Sequence, residues 1–214
     1  MSALLYLVRH GETDWNRERR LQGWIDVPLN DVGRAQAEET ASRFARRPVD
    51  TVVVSPLSRA RESGAIIASR LGLALPTVDS GLKERSYGVT EGLTHAEVAA
   101  RFPPPQQVPG RETREQVLER AVAALGRIAT RSDGGTAVVV THGALIRAVV
   151  TEVAPGVADT LDVPIANGSV HSFAWDAGCG RGRLIRFDDP VDLELEELDA
   201  EALRLAELST SVPR

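Results

Sequence analysis

Hydrophobic positions along the chain follow two periods. Residues 4–8 form a continuous apolar run that stops at Arg9-His10-Gly11, and residues 137–140 form a second that stops at Thr141-His142-Gly143. Runs of this kind predict strands covered on both faces of a parallel sheet. Residues 51–54 predict a further strand, and residues 75–78 a short one. Between them the period changes to that of amphipathic helices. Asn30 and Asp31 open a helix running to about Arg46, with Ala37, Ala41 and Phe44 on its buried side. Ser55-Pro56 begins the next, with proline in its first turn, Ile66, Ile67 and Leu71 as apolar positions and Gly72 as its C-cap.

Thr94-His95-Ala96-Glu97 has capping-box spacing and opens a brief helix, which the proline-rich residues 102–110 cannot continue. Residues 112–131 read as a long helix through Val117, Ala121, Leu125 and Ile128, and residues 144–153 as another. Residues 12–26 are polar and read as an ordered loop. Near the end, residues 169–175 alternate, and a glycine-rich turn leads into residues 184–187, a hairpin signal at a sheet edge. Strand and helix alternate throughout. The expected fold is therefore α/β, a three-layer α/β/α sandwich whose mostly parallel central sheet carries an antiparallel edge strand. One domain over residues 1–190, with a short lid at about 93–112, is followed by an acidic helix and tail over 191–214.

Composition narrows this picture modestly. The 214 residues suffice for one full core, and 43% hydrophobic with 26% charged residues is ordinary for a globular domain. A net charge of −5 gives no overall basic field, which argues against a nucleic-acid partner. Arginine replaces lysine almost everywhere; Lys83 is the single lysine. Cys179 is the single cysteine, so no internal disulfide forms and a reducing compartment is expected. No apolar run is long enough to span a bilayer, and the chain reads as soluble and cytoplasmic.

In open α/β sheets, ligands sit beyond the carboxyl ends of the strands. The predicted strands deliver Arg9 with His10, then Arg59, then His142 to that edge, and the short strand leads on to Glu84. Two guanidiniums match the oxygens of a phosphate dianion. A neutral imidazole can attack phosphorus, and a nearby acid can protonate the leaving oxygen.

The motifs in order resemble those of the histidine phosphatase superfamily, the phosphoglycerate mutase-like proteins. They are Arg9-His10-Gly11-Glu12-Thr13-Asp14-Trp15-Asn16, Leu21-Gln22-Gly23-Trp24, Pro28-Leu29-Asn30-Asp31-Val32-Gly33, Ser55-Pro56-Leu57-Ser58-Arg59-Ala60, Leu82-Lys83-Glu84-Arg85, Glu91-Gly92-Leu93-Thr94 and Thr141-His142-Gly143. The resemblance covers the chain to about Trp175. It implies that His10 is phosphorylated, that Arg9, Asn16, Arg59 and His142 form the phosphate pocket, and that Glu84 is the proton donor. It places Gln22, Gly23, Trp24 and Arg111 at the substrate mouth, although Trp24 and Trp15 suit packing equally well. It implies no metal and no cofactor, since the arginines supply the positive charge. The partner is a small phosphorylated molecule and not a nucleic acid or membrane, and the chain acts as a monomer or homodimer.

Family mutases carry a long, basic insertion after the Glu-Gly-Leu motif. Here residues 101–111 are short and hold few cations, which favours a phosphatase of the broad-specificity branch over a phosphoglycerate mutase-type isomerase. A non-catalytic phosphate-binding protein is disfavoured because every reactive position is filled. Arg111-Glu112-Thr113 stands where many relatives have Gly-Glu-Ser, and Ser63 where many have threonine. Cys179 does not begin a Cys-x5-Arg loop; His95 reads as an exposed helix-start residue and His171 as structural.

Overall fold

The structure, a computed structural model, describes residues 2–160, 164–176, 178 and 180–191, without the side chains of 158–160. The acidic segment from 192 onward and Cys179 lie outside the described residues. Six strands form one sheet: β1 (Ser2–Arg9), β2 (Thr51–Val54), β3 (Thr77–Val78), β4 (Thr136–Thr141), β5 (Val170–Asp176) and β6 (Arg181–Arg186). Their order is β3-β2-β4-β1-β5-β6. β1, β2, β3 and β4 pair in parallel, while β5 is antiparallel to both β1 and β6. The expected antiparallel edge is thus a whole hairpin.

Seven helices accompany the sheet among the described residues: α1 (Asp14–Arg17), α2 (Asp31–Arg43), α3 (Ser58–Arg70), α4 (His95–Arg101), α5 (Arg114–Ser132), α6 (Gly143–Val153) and α7 (Pro155–Thr160). Successive strand residues point to opposite faces, so each strand feeds two cores. Leu5, Leu7, Val139, Phe173 and Trp175 join Val117, Ala121 and Leu125 of α5 and Leu145 and Ile146 of α6 on one face. Tyr6, Val8, Val52, Val54, Val138 and Val140 join Ala41 and Phe44 from the α2 side and Ala60 and Ile67 of α3 on the other. This is the three-layer sandwich. No described helix is long and apolar enough to cross a membrane.

Several local expectations change. Residues 12–26 contain α1, which opens on a capping box: the Asn16 amide donates to Thr13 Oγ1 at 3.2 Å and the Thr13 amide to Asn16 Oδ1 at 3.2 Å. Four residues are too few for a hydrophobic period to betray them. α2 stops at Arg43 and tightens into a 3₁₀ turn over Phe44–Arg46. α3 begins at Ser58, so Pro56 lies outside it; Leu57 offers no cap, and Asp26 Oδ1 accepts the Ser58 amide at 2.7 Å instead. β5 alternates in sequence but is buried on both faces over its first four residues: α5 packs on one side, and the chain at Asp189 bonds Val170 and Ser172 on the way to Val191. The β3 strand shrinks to Thr77–Val78, leaving Leu75 exposed. Asn30, Thr94 and Gly72 stand as expected: the first two cap α2 and α4, and Gly72 follows α3 with φ +66°.

Candidate active site

The register delivers the chemistry. Arg9 pairs with Thr141 and Val54 with Val140, so His10, His142 and Ser55 each follow immediately at one edge. The His10 amide donates to the Thr141 carbonyl at 3.0 Å, and the Ser55 amide to the Val140 carbonyl at 3.0 Å. The imidazoles of His10 and His142 stand edge to face, with centroids 5.1 Å apart.

His10 is buried, and its Nδ1 lies 2.6 Å from the Gly11 carbonyl oxygen. A carbonyl only accepts, so Nδ1 carries the ring proton and Nε2 keeps its lone pair. Burial first, then the positive charges of Arg59 and Arg9, hold the His10 pKa well below the ordinary 6.5, against the opposing pull of the Gly11 hydrogen bond. His10 is therefore neutral near pH 7. His142 is fully buried as well, and burial with Arg59, His10, Arg9 and Arg120 pushes its pKa the same way. Its Nε2 lies 2.7 Å from Ser55 Oγ, and its Nδ1 is buried without a protein partner.

Arg59, fully buried, donates from Nη1 to the Ile25 carbonyl at 3.0 Å and from Nη2 to the Gly23 carbonyl at 2.8 Å. Arg9 donates from Nη1 to the Ile165 carbonyl. In both guanidiniums Nε is buried and unpartnered. Burial lowers both arginine pKa values, and the Glu84 carboxylate partly offsets it. Asn16 Oδ1 accepts from Thr13 and, at 3.3 Å, from Asn167 Nδ2, so the group it can offer a ligand is its own amide N–H. Glu84 follows a 3₁₀ turn at Ser80–Leu82; its Oε1 accepts the Arg85 amide at 2.8 Å and its Oε2 the Ala144 amide at 3.3 Å, beside the start of α6.

Arg9 Nε, Arg59 Nε and, in the tautomer in which the Ser55 hydroxyl donates to Nε2, His142 Nδ1 are three buried N–H groups that thus lack protein partners around a neutral imidazole. Buried donors are ordinarily paired, and cationic ones without a partner are costly. An oxyanion bound among them would satisfy all three. A cleft of about 740 Å³ opens beside this group, with Arg9, Glu84, Tyr87, Arg114, Arg147 and Ile165 in its wall. His10, Arg59 and His142 are buried and do not line it.

The other sequence-predicted residues sit around this centre. Gly23, at φ +52°, leaves no room for a Cβ, which would lie 2.0 Å from Glu91 Oε1. Gln22 is buried. Trp24 donates from its indole to the Glu84 carbonyl at 2.7 Å, under the Lys83 ammonium 4.5 Å from its ring centroid. Arg111 lies over the Tyr87 ring and donates to Thr90 Oγ1 at 3.2 Å. None of these four lines the cleft. Sequence reasoning passed over Ser55 and Asn167. Ser55 carried a readable signal, its place at the end of β2. Asn167, whose Nδ2 donates to the His10 carbonyl at 2.9 Å, carried none. Among the described residues no group of His, Cys, Asp and Glu is placed to hold a metal ion.

The model of the histidine phosphatase superfamily (branch 1) matches residues 5–188. The chain belongs to this superfamily. It is 37% identical over 169 residues to the uncharacterized phosphatase PhoE of Bacillus subtilis, covering 79% of this chain and 86% of that one. It is also 37% identical to the metal-independent phosphoserine phosphatase of Arabidopsis thaliana, over 68% of this chain and 66% of that one. Among solved structures, a mycobacterial glucosyl-3-phosphoglycerate phosphatase complexed with VO3 superposes with a TM-score of 0.75 at 29% identity, covering 87% of this chain and 97% of that chain. The phosphoglycerate mutase-like fold and the phosphatase character of the chain rest on these likenesses together.

Proposed function

We propose that the chain hydrolyses small phosphomonoesters through a phosphohistidine at His10. The observation that carries this reading is the trio of unpartnered buried donors around the His10 Nε2 lone pair. The Nε2 lone pair attacks phosphorus, and the three equatorial oxygens spread their charge onto Arg9, Arg59, Asn16 and His142. The bond from phosphorus to the alcohol oxygen breaks, and Glu84 in its acid form gives its proton to that oxygen. Glu84, now a carboxylate, takes a proton from water as the water oxygen attacks the phosphohistidine. The phosphorus–nitrogen bond breaks, its electron pair returns to Nε2, inorganic phosphate leaves and Glu84 is again an acid.

The named relatives act on phosphoserine and glucosyl-3-phosphoglycerate, both anionic beyond their phosphate. Arg85, Arg114 and Arg147 in the cleft wall here suit a substrate of the same charged kind. Hydrolysis is favoured over phosphoryl shuttling because the stretch between α4 and α5 is short and the cleft stands open beside Glu84. Gln22, Gly23, Trp24 and Arg111 would then act as supports of the mouth rather than as ligands of the substrate. The test is phosphate release over a panel of phosphorylated metabolites without a bisphosphate primer, including 3-phosphoglycerate and its glycosylated derivatives. Release from at least one, abolished in His10→Ala, is the expected result. Turnover that requires a bisphosphate primer would make the protein a mutase.

A further inference from the structure

Glu84 sits on a loop, and a loop alone does not hold an acid to the few tenths of an ångström that proton transfer requires. What holds this loop is Arg120, from the middle of α5. Its Nη1 donates to the carbonyls of Gly81 at 3.0 Å and Lys83 at 2.6 Å. Its Nη2 donates to the Glu84 carbonyl at 2.9 Å and to Glu112 Oε2 at 2.9 Å, and its Nε to Glu112 Oε1 at 3.0 Å. A guanidinium has five N–H donors, and these contacts use all of them. None is left for a ligand, so Arg120 is no substrate-binding group.

Glu112 completes the clamp from the other side. Besides the two-pronged pairing with Arg120, its Oε2 accepts the Ser86 amide at 2.7 Å, and its carbonyl accepts Arg85 Nε at 2.8 Å. Burial works to raise the Glu112 carboxyl pKa, but Arg120 and the Ser86 amide outweigh it and hold it below the ordinary 4.5. The one carbonyl that Arg120 skips, that of Leu82, accepts Thr141 Oγ1 at 2.8 Å, one residue before His142. Gly81 brings the loop against α5 so closely that a Cβ there would lie 2.9 Å from both the Ala124 Cβ and the Arg120 carbonyl oxygen. Every carbonyl from 81 to 84 is therefore tied to α5 or to the end of β4.

We infer that Arg120, locked by Glu112, is the positioning residue that sets Glu84 against the leaving oxygen. This rests on the reading of Glu84 as proton donor. Lysine cannot substitute, because an ammonium has three donors and no planar fork. Glu112, in the Arg111-Glu112-Thr113 stretch that stands where many relatives have Gly-Glu-Ser, acts on catalysis by this route.

The test compares an alkyl phosphate, whose leaving group needs its proton, with p-nitrophenyl phosphate, whose leaving group does not. General acid catalysis is worth ~10²–10⁴-fold, and misplacing the acid forfeits much of it. Arg120→Met should lower kcat on the alkyl ester about 100-fold, and on the aryl ester less than about 3-fold. KM and vanadate inhibition, which report the phosphate pocket, should stay near wild type. Glu84→Gln combined with Arg120→Met should be no slower on the alkyl ester than Glu84→Gln alone, since residues acting as one unit are not additive. Equal losses on both esters in Arg120→Met, with Glu84→Gln still selective, would make Arg120 a structural tie and overturn the inference. Equal losses in Glu84→Gln itself would instead remove Glu84 as the acid. Glu112→Gln, which leaves the three carbonyl contacts in place, is the milder variant should Arg120→Met not fold. It should show a several-fold loss confined to the alkyl ester, and a loss common to both esters would again overturn the inference.

Discussion

Gly11 and Gly33 meet backbone to backbone: a Cβ on Gly11 would fall 2.1 Å from the Gly33 carbonyl oxygen, and one on Gly33 would fall 2.1 Å from the Glu12 carbonyl oxygen. Neither glycine is demanded by a left-handed backbone. Gly11 is demanded by the Gly33 backbone and Gly33 by the Glu12 backbone, where the first turn of α2 seats on the chain just beyond His10. The Gly11 amide also donates to Ser63 Oγ at 3.1 Å, and Ser63 Oγ donates to the Arg59 carbonyl at 2.8 Å, so α2 and α3 both grip the residue after His10. Gly33→Ala should cost about 1–3 kcal/mol of stability, as overpacking does, measured by urea denaturation. It should also lower kcat, because the push falls on the backbone of Glu12, the residue bonded to Gly11, whose carbonyl fixes the His10 tautomer. Unchanged stability and rate would mean that α2 shifts freely, and the close approach would then have no bearing on the site.

His10→Ala should abolish both turnover and phosphoenzyme labelling in the wild-type fold, checked by circular dichroism. Because burial and the two arginines depress the His10 pKa, the acid limb of kcat/KM should fall well below pH 6.5, with no inflection at that value from His10. An inflection at 6.5 that follows the His10 resonance in NMR titration would contradict the buried, neutral nucleophile.

Ser55 bears on the other histidine. Its Oγ accepts the Leu57 amide at 3.4 Å, a long contact, and lies 2.7 Å from His142 Nε2. With the serine hydroxyl donating to Nε2, His142 carries its proton on Nδ1, the buried atom without a protein partner, and can donate it to a phosphoryl oxygen. Ser55→Ala frees Nε2 to take the proton instead. The expected loss is one hydrogen bond to a charged group, ~1.5–3 kcal/mol, or about 10–100-fold in kcat/KM. Nitrogen-15 chemical shifts of His142 should report the change of tautomer. A wild-type tautomer in Ser55→Ala would remove Ser55 from this role.

Much of this was legible in the sequence because it follows from strand ends. Apolar runs that stop at Arg-His-Gly and Thr-His-Gly declare both the strands and the edge at which their histidines emerge, and parallel pairing of β1 with β4 makes them neighbours. Arg59 followed from its place in the first turn of α3. What sequence could not show are relationships between distant chain segments. Gly11 reads locally as a turn residue, and only the approach of Gly33 explains it. Arg120 reads as one more exposed helix cation, yet its donors reach back to carbonyls at 81, 83 and 84. Asp26 capping α3 across the chain has no local signature either. The short α1 escaped because a single turn has no period.

His171 gives the fold a pH dependence that is separate from catalysis. It is fully buried in β5, between two fixed partners. Ser169 Oγ donates to the Ala166 carbonyl at 2.7 Å, which leaves it to accept from His171 Nε2 at 3.0 Å. His171 Nδ1 in turn accepts the Asp188 amide at 3.1 Å. A proton on Nδ1 would set one N–H against another, and burial together with the charge of Arg147 lowers the pKa from 6.5 to about 4. The sign follows from linkage: between these values the unfolded chain binds a proton that the folded chain refuses, so stability is full above pH 6.5 and declines as pH falls toward 4. The decline from this group alone is about 3 kcal/mol. His10 and His142, also held neutral by burial, add to it with the same sign. Asp79 and Glu112, whose carboxyl pKa values lie below their ordinary ones, contribute stability that is lost only at lower pH, as it falls through their folded-state values. Urea midpoints measured from pH 8 to 4 should therefore begin to drop near 6.5, above the range in which Asp79 and Glu112 lose their contribution. In His171→Gln, which keeps a donor and an acceptor but cannot be protonated there, the drop between 6.5 and 4 should shrink. An identical slope in the variant would show that His171 takes up no more protons unfolded than folded, and the acid lability would have to come from the two site histidines alone.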